Sequence, residues 1–383
     1  MKDILLVDMN AFFIMCEGRN DPSLINAPSA VAGSPQYRTG IILAANYEAR
    51  KYGVKVAMTV TEAKRLCPEI RLVKPNHDYY EACSKEVFDL LYDFTPQIEK
   101  NSIDEAWLDV TSSKDLFGSV DDIALGIQNK LKDELGLWSS IGISENKFLA
   151  KMASDLKKPL GISKLYKKDI ERIMYPMPLG KMYGLGRVTE KKLNVEGIYN
   201  IGQLAELSSS YLISKFGKVG YYLYEKARGI DDDIVGEQDI KNPSCGRMTT
   251  LERDISDLEV AKKEMAPLCE DVGRSLRDKN LVCDCVQIQI KYDTFKMITR
   301  QMKVEETNLT SEIYKTASYL LDLHWDNEKP VRLIGVSACN LREKSQQIQF
   351  DFDNMMGNEK LETTMDEINK KFNKNIIKRG NTL

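Results

Sequence analysis

Along the first 160 positions, apolar residues follow two rhythms. Ile4-Leu5-Leu6-Val7 is a continuous apolar run too short for a helix and predicts a buried strand ending at Asp8. Pro96 to Val110 sets Ile98, Ile103, Ala106, Leu108 and Val110 around a polar centre and predicts a hairpin with Asp104 and Glu105 at its tip. Asp78 to Phe94 and Val120 to Leu135 carry the 3.6-residue spacing of amphipathic helices. Residues from about 20 to 77 read as a smaller inserted lobe. From about 159 to 230 the pattern is helical throughout, with glycine-bearing connections at Tyr183-Gly184-Leu185-Gly186 and Val195-Glu196-Gly197-Ile198. An acidic stretch, 231–239, precedes a third region with strands over Val282–Tyr292 and Val331–Leu341 and helices over Glu259–Asp278 and Ser311–Leu323. The polar last ~30 residues read as a tail with a short helix from Leu361 to Phe372. The fold class is α+β, spread over several domains.

Composition narrows this only a little. With 43% hydrophobic and 29% charged residues the chain is of ordinary globular make-up. No run approaches the ~20 apolar residues of a membrane span, and Met1-Lys2-Asp3 with four apolar residues is too short for a signal peptide. Eight cysteines without a Cys-x-x-Cys pair, and only His77 and His324 beside them, argue against zinc and fit reduced thiols in the cytoplasm. The net charge of −3 hides an asymmetry: Pro159 to Ile230 holds 12 Lys/Arg against 6 Asp/Glu, a local +6. Phosphate contacts come from local patches, so nucleic-acid binding is compatible with the acidic total.

The candidate chemistry lies in the two acidic strand ends. An Asp from one strand and an Asp-Glu pair from its neighbour are the minimum equipment for holding a pair of hard cations. Adjacent side chains on a regular strand point to opposite faces, so Asp104 and Glu105 reach one site only where the backbone turns or bulges. Taken singly, each stretch reads equally well as a cap or a solvated turn.

The surrounding text decides between these readings. Asp8-Met9-Asn10-Ala11-Phe12-Phe13, Ala45-Asn46-Tyr47-Glu48-Ala49-Arg50-Lys51-Tyr52-Gly53-Val54, Ser102-Ile103-Asp104-Glu105-Ala106, and Gly142-Ile143-Ser144-Glu145-Asn146-Lys147 with Lys157-Lys158-Pro159 follow in one order. From about residue 3 to 350 this string resembles the Y-family translesion DNA polymerases, the group of bacterial DNA polymerase IV and the catalytic subunit of DNA polymerase V. The resemblance implies a right-handed polymerase with a palm (1–19 and 78–158), fingers (20–77), a helix-hairpin-helix thumb (159–230), a linker (231–240), a C-terminal α/β little finger (241–342) and a tail (343–383). It implies two Mg²⁺ ions held by Asp8, Asp104, Glu105 and the Met9 carbonyl. Asn10 departs from the Asp of the polymerase IV type and matches the polymerase V type.

By the same resemblance Tyr47, Arg50 and Lys158 cradle the nucleotide's phosphates, with Phe12 and Phe13 also on the nucleotide side. Phe13 is the steric gate against a 2′-hydroxyl, and Ile41, Leu43 and Ala57 roof the nascent base pair. Tyr47 and Arg50, three apart at a helix start, share a face. Primer-template DNA would meet Gly184, Gly186 and Arg187 in the thumb, and Arg247, Arg253 and Arg300 in the third region, where Thr249, Lys291 and Lys303 lie on or beside the same strands. Gln347-Ile348-Gln349-Phe350-Asp351-Phe352 resembles the sliding-clamp peptide, with Gln347 leading and Ile348, Phe350 and Phe352 on one face of an extended segment, though a final edge strand fits it too. The implied enzyme is a monomeric, template-directed DNA polymerase using deoxynucleoside triphosphates. A two-metal nuclease, or an inactive DNA- and clamp-binding factor, would share parts of this equipment.

Overall fold

The computed structural model describes residues 2–33, 40–236, 244–344, 353–372 and 376–377. Its described residues form two compact units, 2–33 with 40–236, and those from 244 onward. The strands in chain order are β1 (Ile4–Met9), β2 (Ser29–Ala32), β3 (Ile42–Ala45), β4 (Arg71–Val73), β5 (Ile98–Lys100), β6 (Glu105–Asp109), β7 (Ser139–Ser144), β8 (Ile162–Lys164), β9 (Ser244–Ile255), β10 (Leu281–Tyr292), β11 (Met297–Thr307), β12 (Val331–Cys339) and the two-residue β13 (Arg342–Glu343).

In the first unit the sheet runs β5-β6-β1-β7-β8, with β1 in the middle and antiparallel to both neighbours. Ile4 to Val7 of β1 form an unbroken apolar run because both faces of the strand are covered there. Leu5 and Val7 pack into a core with Tyr80 and Val87 of the His77–Tyr92 helix and Ile123 and Ile127 of the Val120–Leu135 helix. Ile4 and Leu6 turn to the other side, against Trp107, Ala150 and Val235. The Lys147–Ser154 helix supplies Ala150 and lies directly on β7. Gly142 permits that approach, since a Cβ there would stand 2.0 Å from the Ala150 carbonyl oxygen.

Two sequence expectations shift here. The helical stretch from 159 contributes one strand, β8, which adds to the sheet parallel to β7 with Ile162 against the core. The acidic stretch is held at its start: Asp231 Oδ2 accepts from Phe148 N at 2.7 Å, Lys226 Nζ donates to Asp231 Oδ1 at 2.5 Å, and Val235 is buried under the sheet.

Lys147 and Lys151 project from one helix face, four residues apart. Lys147 Nζ donates to both carboxylate oxygens of Glu99 at 2.8 and 2.6 Å, and its ammonium lies 4.8 Å from the Trp107 ring centroid. Both partners are nearly buried, so removing one strands a charge in a poor solvent. Glu99→Ala is expected to lower the unfolding free energy by about 3–5 kcal/mol, read from the midpoint of a urea titration. A loss below ~1 kcal/mol would show the pair to be solvated.

The small lobe is a β3-β2-β4 sheet with the Tyr47–Lys51 and Val60–Leu66 helices. Asn46 organises it. Its Oδ1 caps the helix by accepting from Ala49 N at 2.8 Å and also accepts from Ser29 N at 3.1 Å, while its Nδ2 donates to the Leu24 and Ala27 carbonyls. That fixes where Tyr47 and Arg50 leave the backbone.

In the second unit the antiparallel sheet is ordered β11-β10-β12-β9. The Leu258–Asp278 and Thr310–His324 helices pack on the face carrying Val286, Ile288, Ile290, Ile334 and Val336. The final helix, Asp353–Lys371, is tied to this unit by Glu362, which receives Arg277 Nη1 at 2.5 Å and the Thr310 backbone N–H at 2.8 Å.

Candidate active site

An open cleft of about 220 Å³ in the first unit is lined by Asp8, Met9, Asn10, Ala11, Phe12, Phe13, Leu43, Ala44, Tyr47, Arg50, Val56, Asp104, Glu105 and Lys158. Asp8 and Glu105 are direct cross-strand partners on β1 and β6, which puts their side chains on one face. Asp104 is the last residue of the hairpin turn. Its carbonyl accepts from Met9 N at 2.9 Å, and its Oδ1 accepts from Ser102 Oγ at 2.6 Å. The turn therefore does what a regular strand could not, and all three carboxylates reach the cleft.

Their electrostatics differ. Burial opposes ionisation of Asp8, but hydrogen bonding with Glu105 and the ammoniums of Lys158 and Lys151 outweigh it and hold this carboxyl below the usual range. Burial pushes Glu105 up, helped by its contact with Asp8 and opposed by Lys151. Asp104 is also raised, by burial first and then by repulsion from Asp8, with the Ser102 hydroxyl working the other way. Carboxylates that resist sharing a site invite a cation. Here ammoniums serve: Lys151 Nζ stands 3.0 Å from Asp8 Oδ2 and 2.5 Å from Glu105 Oε1, and Lys158 Nζ lies 2.7 Å from Asp8 Oδ2. Among the described residues no three carboxylate, imidazole or thiolate side chains close on one point.

Across the cleft, Arg50 stacks its guanidinium 4.7 Å from the Tyr47 ring centroid and donates its Nε–H to the Ala45 carbonyl at 2.9 Å. The Tyr47 hydroxyl is buried without a hydrogen-bond partner, and burial raises its pKa. Phe13 stacks on Tyr80 (centroids 4.4 Å, planes 14° apart) and meets His77 edge-on at 5.8 Å. Phe12 reaches the cleft while belonging to the core. Asn10 is engaged with its own surroundings, bonding Ser140 Oγ at 3.1 Å and accepting from Leu160 N at 2.9 Å.

Not every expected residue arrives. Leu43 lines the cleft, but Ile41 and Ala57 do not; Val56 lines it instead. Ala57 sits at φ +67° in the turn that returns the chain to the Ile41–Thr59 bridge. Lys151, which sequence reasoning missed, stands between two of the carboxylates. The available signal was a second lysine four residues from Lys147 in the otherwise apolar Phe148-Leu149-Ala150-Lys151-Met152-Ala153.

Gly184 takes φ +81° in the expected thumb turn, where a Cβ would meet the Tyr222 hydroxyl at 2.5 Å. Gly186 begins the Arg187–Val195 helix without a side-chain cap and with open space beside it. In the second unit, register divides the expected basic residues. Arg300 pairs with Ile288, and Arg247 pairs with Val336 and bonds Ser275 Oγ of the Leu258–Asp278 helix, so both belong to the helix-covered face. Thr249, opposite Ile334, shares that face. Lys291 and Lys303 fall on the other face, with Gln287, Gln289, Thr299 and Gln301. Arg253 is exposed near the end of β9. Gln347, Ile348, Phe350 and Phe352 lie outside the described residues.

One cleft with an acidic wall facing a basic one, and an aromatic ring at its side, has the layout of a nucleotidyl-transfer site, and comparison with known proteins gives that class a family. Residues 7–155 match the impB/mucB/samB family, 242–352 its C-terminal domain, and 181–231 the DNA polymerase-iota thumb domain. DNA polymerase IV of Clostridium kluyveri is 47% identical over 99% of this chain and 98% of its own length. That of Alkaliphilus oremlandii is 46% identical over the same shares. A solved Y-family DNA polymerase chimera covers 89% of this chain and 99% of its own with a TM-score of 0.79 at 26% identity. The chain belongs to the Y family of translesion DNA polymerases, divalent-metal-dependent enzymes with DNA and nucleotides as substrates. Both of these relatives bear the polymerase IV name.

Proposed function

We propose that this chain extends a primer 3′-hydroxyl on damaged and undamaged templates, with Asp8, Asp104 and Glu105 as its catalytic carboxylates. The observation that carries this reading is the Tyr47 hydroxyl, buried without a partner beside Arg50 and Lys158 and facing those carboxylates across one cleft. A triphosphate entering there would supply acceptors for the phenol, the guanidinium and the ammonium together. Asp8, Glu105, Asp104 and the Met9 carbonyl are hard oxygen donors suited to two Mg²⁺ ions. When bound, such ions favour the deprotonated 3′-hydroxyl and neutralise charge at phosphorus. The side chains do the rest: Asn46 fixes the helix that aims Tyr47 and Arg50, Lys158 bridges the acidic and basic walls, and Phe13 is the wall against which a sugar would lie. Leu43, with Val56 beside it, is the roof over the base.

The family's domains map onto the chain as a palm (1–19, 78–158), fingers (20–77), thumb (159–230), linker (231–240) and little finger (241–342), with β8 counted into the palm. Gly184, Gly186 and Arg187 offer the thumb's helix amino end to a DNA phosphate. Lys291 and Lys303, on the uncovered sheet face, are better placed than Arg247 and Arg300 to follow the backbone, with Arg253 exposed near the end of β9. The chain acts as a monomer in the cytoplasm, tethered to a sliding clamp by Gln347, Ile348, Phe350 and Phe352.

Primer extension with each deoxynucleotide offered singly, with and without a loaded clamp, tests both parts. The wild type should add the templated nucleotide in Mg²⁺. A variant with Gln347, Phe350 and Phe352 all replaced by Ala should keep that activity and its melting temperature but lose clamp stimulation. No templated addition would defeat the polymerase reading, and retained stimulation would defeat the tether.

A further inference from the structure

The Lys151 ammonium occupies the space between Asp8 and Glu105 with a geometry that leaves little to chance. It is 3.0 Å from one carboxylate and 2.5 Å from the other, on a side chain almost wholly buried, carried by a helix packed on the sheet that supplies both acids. The oxygens it engages, Asp8 Oδ2 and Glu105 Oε1, are donors that a divalent cation would need. One turn further along lies a third carboxylate, Asp155, with Oδ2 4.0 Å from the same ammonium and a largely exposed side chain. Lys158 Nζ already bridges Asp8 and Asp155, at 2.7 and 2.8 Å. The local ensemble is thus four carboxylates (Asp8, Asp104, Glu105, Asp155) and two ammoniums, an excess of negative charge that keeps a cation attractive.

We propose that Lys151 is a resident counter-ion that holds the metal position between Asp8 and Glu105 in the resting enzyme and hands it over by swinging to Asp155 when a divalent cation enters. The proposal rests on the reading of Asp8 and Glu105 as metal ligands. A lysine suits the task because its charge sits on a flexible four-carbon stem and can move while the helix stays fixed. Asp155 keeps the ammonium paired at both ends of that movement, so neither state leaves a buried charge alone. Until an ion arrives, the ammonium offsets the repulsion between the two acids, each of which it touches directly. Lys151 is a positioning residue with a price in affinity, since every entering ion must displace it. It therefore sets the cation concentration at which the site fills.

The test is Mn²⁺ binding to the full-length protein, followed by electron paramagnetic resonance without DNA or nucleotide, together with melting temperature. Lys151→Met keeps the length of the side chain and removes its charge, so it should bind Mn²⁺ at least about tenfold more tightly than wild type. Without metal it should melt at a lower temperature, and Mn²⁺ should raise that temperature by more than it raises the wild type's. Lys151→Arg, which retains the charge, should bind as weakly as wild type, and Asp155→Asn should bind more weakly still. An unchanged or weakened Mn²⁺ affinity in Lys151→Met would overturn the proposal and leave Lys151 as an orienting or packing residue. Should Lys151→Met fail to fold, Lys151→Gln replaces it with the same two expectations. Wild type that binds no Mn²⁺ even with primer-template and nucleotide present would instead defeat the metal-ligand reading itself.

Discussion

Asp104→Ala will lower single-nucleotide incorporation by at least about a thousandfold while leaving the fold and primer-template binding nearly unchanged. A lost metal ligand removes several kcal/mol of transition-state stabilisation, and each 1.36 kcal/mol is about a factor of ten. The fold is spared because Asp104's structural contribution is its backbone carbonyl, which receives Met9 N and survives the substitution. Its carboxylate contacts only Ser102 among the hydrogen bonds of the turn, and the ammonium bridge between Asp8 and Glu105 does not depend on it. Affinity for DNA draws mainly on basic groups at phosphates, which are elsewhere. Incorporation rates under single turnover, with binding by anisotropy, check both halves. Robust Mg²⁺-dependent extension by a folded Asp104→Ala protein would remove Asp104 from the metal site.

Phe13→Ala will admit ribonucleotides while deoxyribonucleotide incorporation persists. Phe13 is a fixed wall: Tyr80 lies parallel behind it, its own hydroxyl bonded to Glu17 at 2.6 Å, and His77 closes the edge. A ring so backed cannot retreat from a 2′-hydroxyl. Its removal should reduce sugar discrimination by roughly a hundredfold, the scale on which a pocket rejects a small added group. The ring is only half-buried, so the loss of stability should fall short of the ~3–5 kcal/mol of a full core truncation. Incorporation of paired ribo- and deoxyribonucleotides by the variant measures this directly, and an unchanged ratio would move the gate to another residue.

Much of this cleft is legible in the sequence, for reasons that differ by residue. Asp8 is legible because Ile4 to Val7, covered on both faces, is apolar without a break, so the first charge after Val7 stands out, although the strand itself runs one residue past Asp8, to Met9. The Val120–Leu135 helix was legible to the residue because Ser119 caps one end and Gly136 closes the other. The spacing of Tyr47 and Arg50 places them on one helix face, while their role comes from the family resemblance; the part played by Asn46 in aiming them is in neither. Lys151 was illegible because a lysine on a helix is ordinarily solvated; only the packing of that helix on β1 and β7 turns it inward. Arg247 and Arg300 show a different limit. Which face of the sheet they share depends on pairing register, a property of two strands at once, and a period of two in one strand leaves it undetermined.

The short helix Lys147–Ser154 bears on how modular this enzyme is. Phe148, Leu149, Met152 and Ala153 belong to the core shared with Ile170, Leu179, Leu212 and Leu223, while Ala150 packs beneath β1 and Lys151 reaches the carboxylates. A chimera joined at residue 158 would graft a foreign helical domain onto a native docking face and leave four side chains facing partners they were not shaped for. A joint placed before Lys147 would carry the docking face across intact, but Lys151 would travel with it. The segment that carries this docking face also carries the charge set between Asp8 and Glu105, so exchanging it between relatives transplants an ammonium into the carboxylate cleft along with the helices.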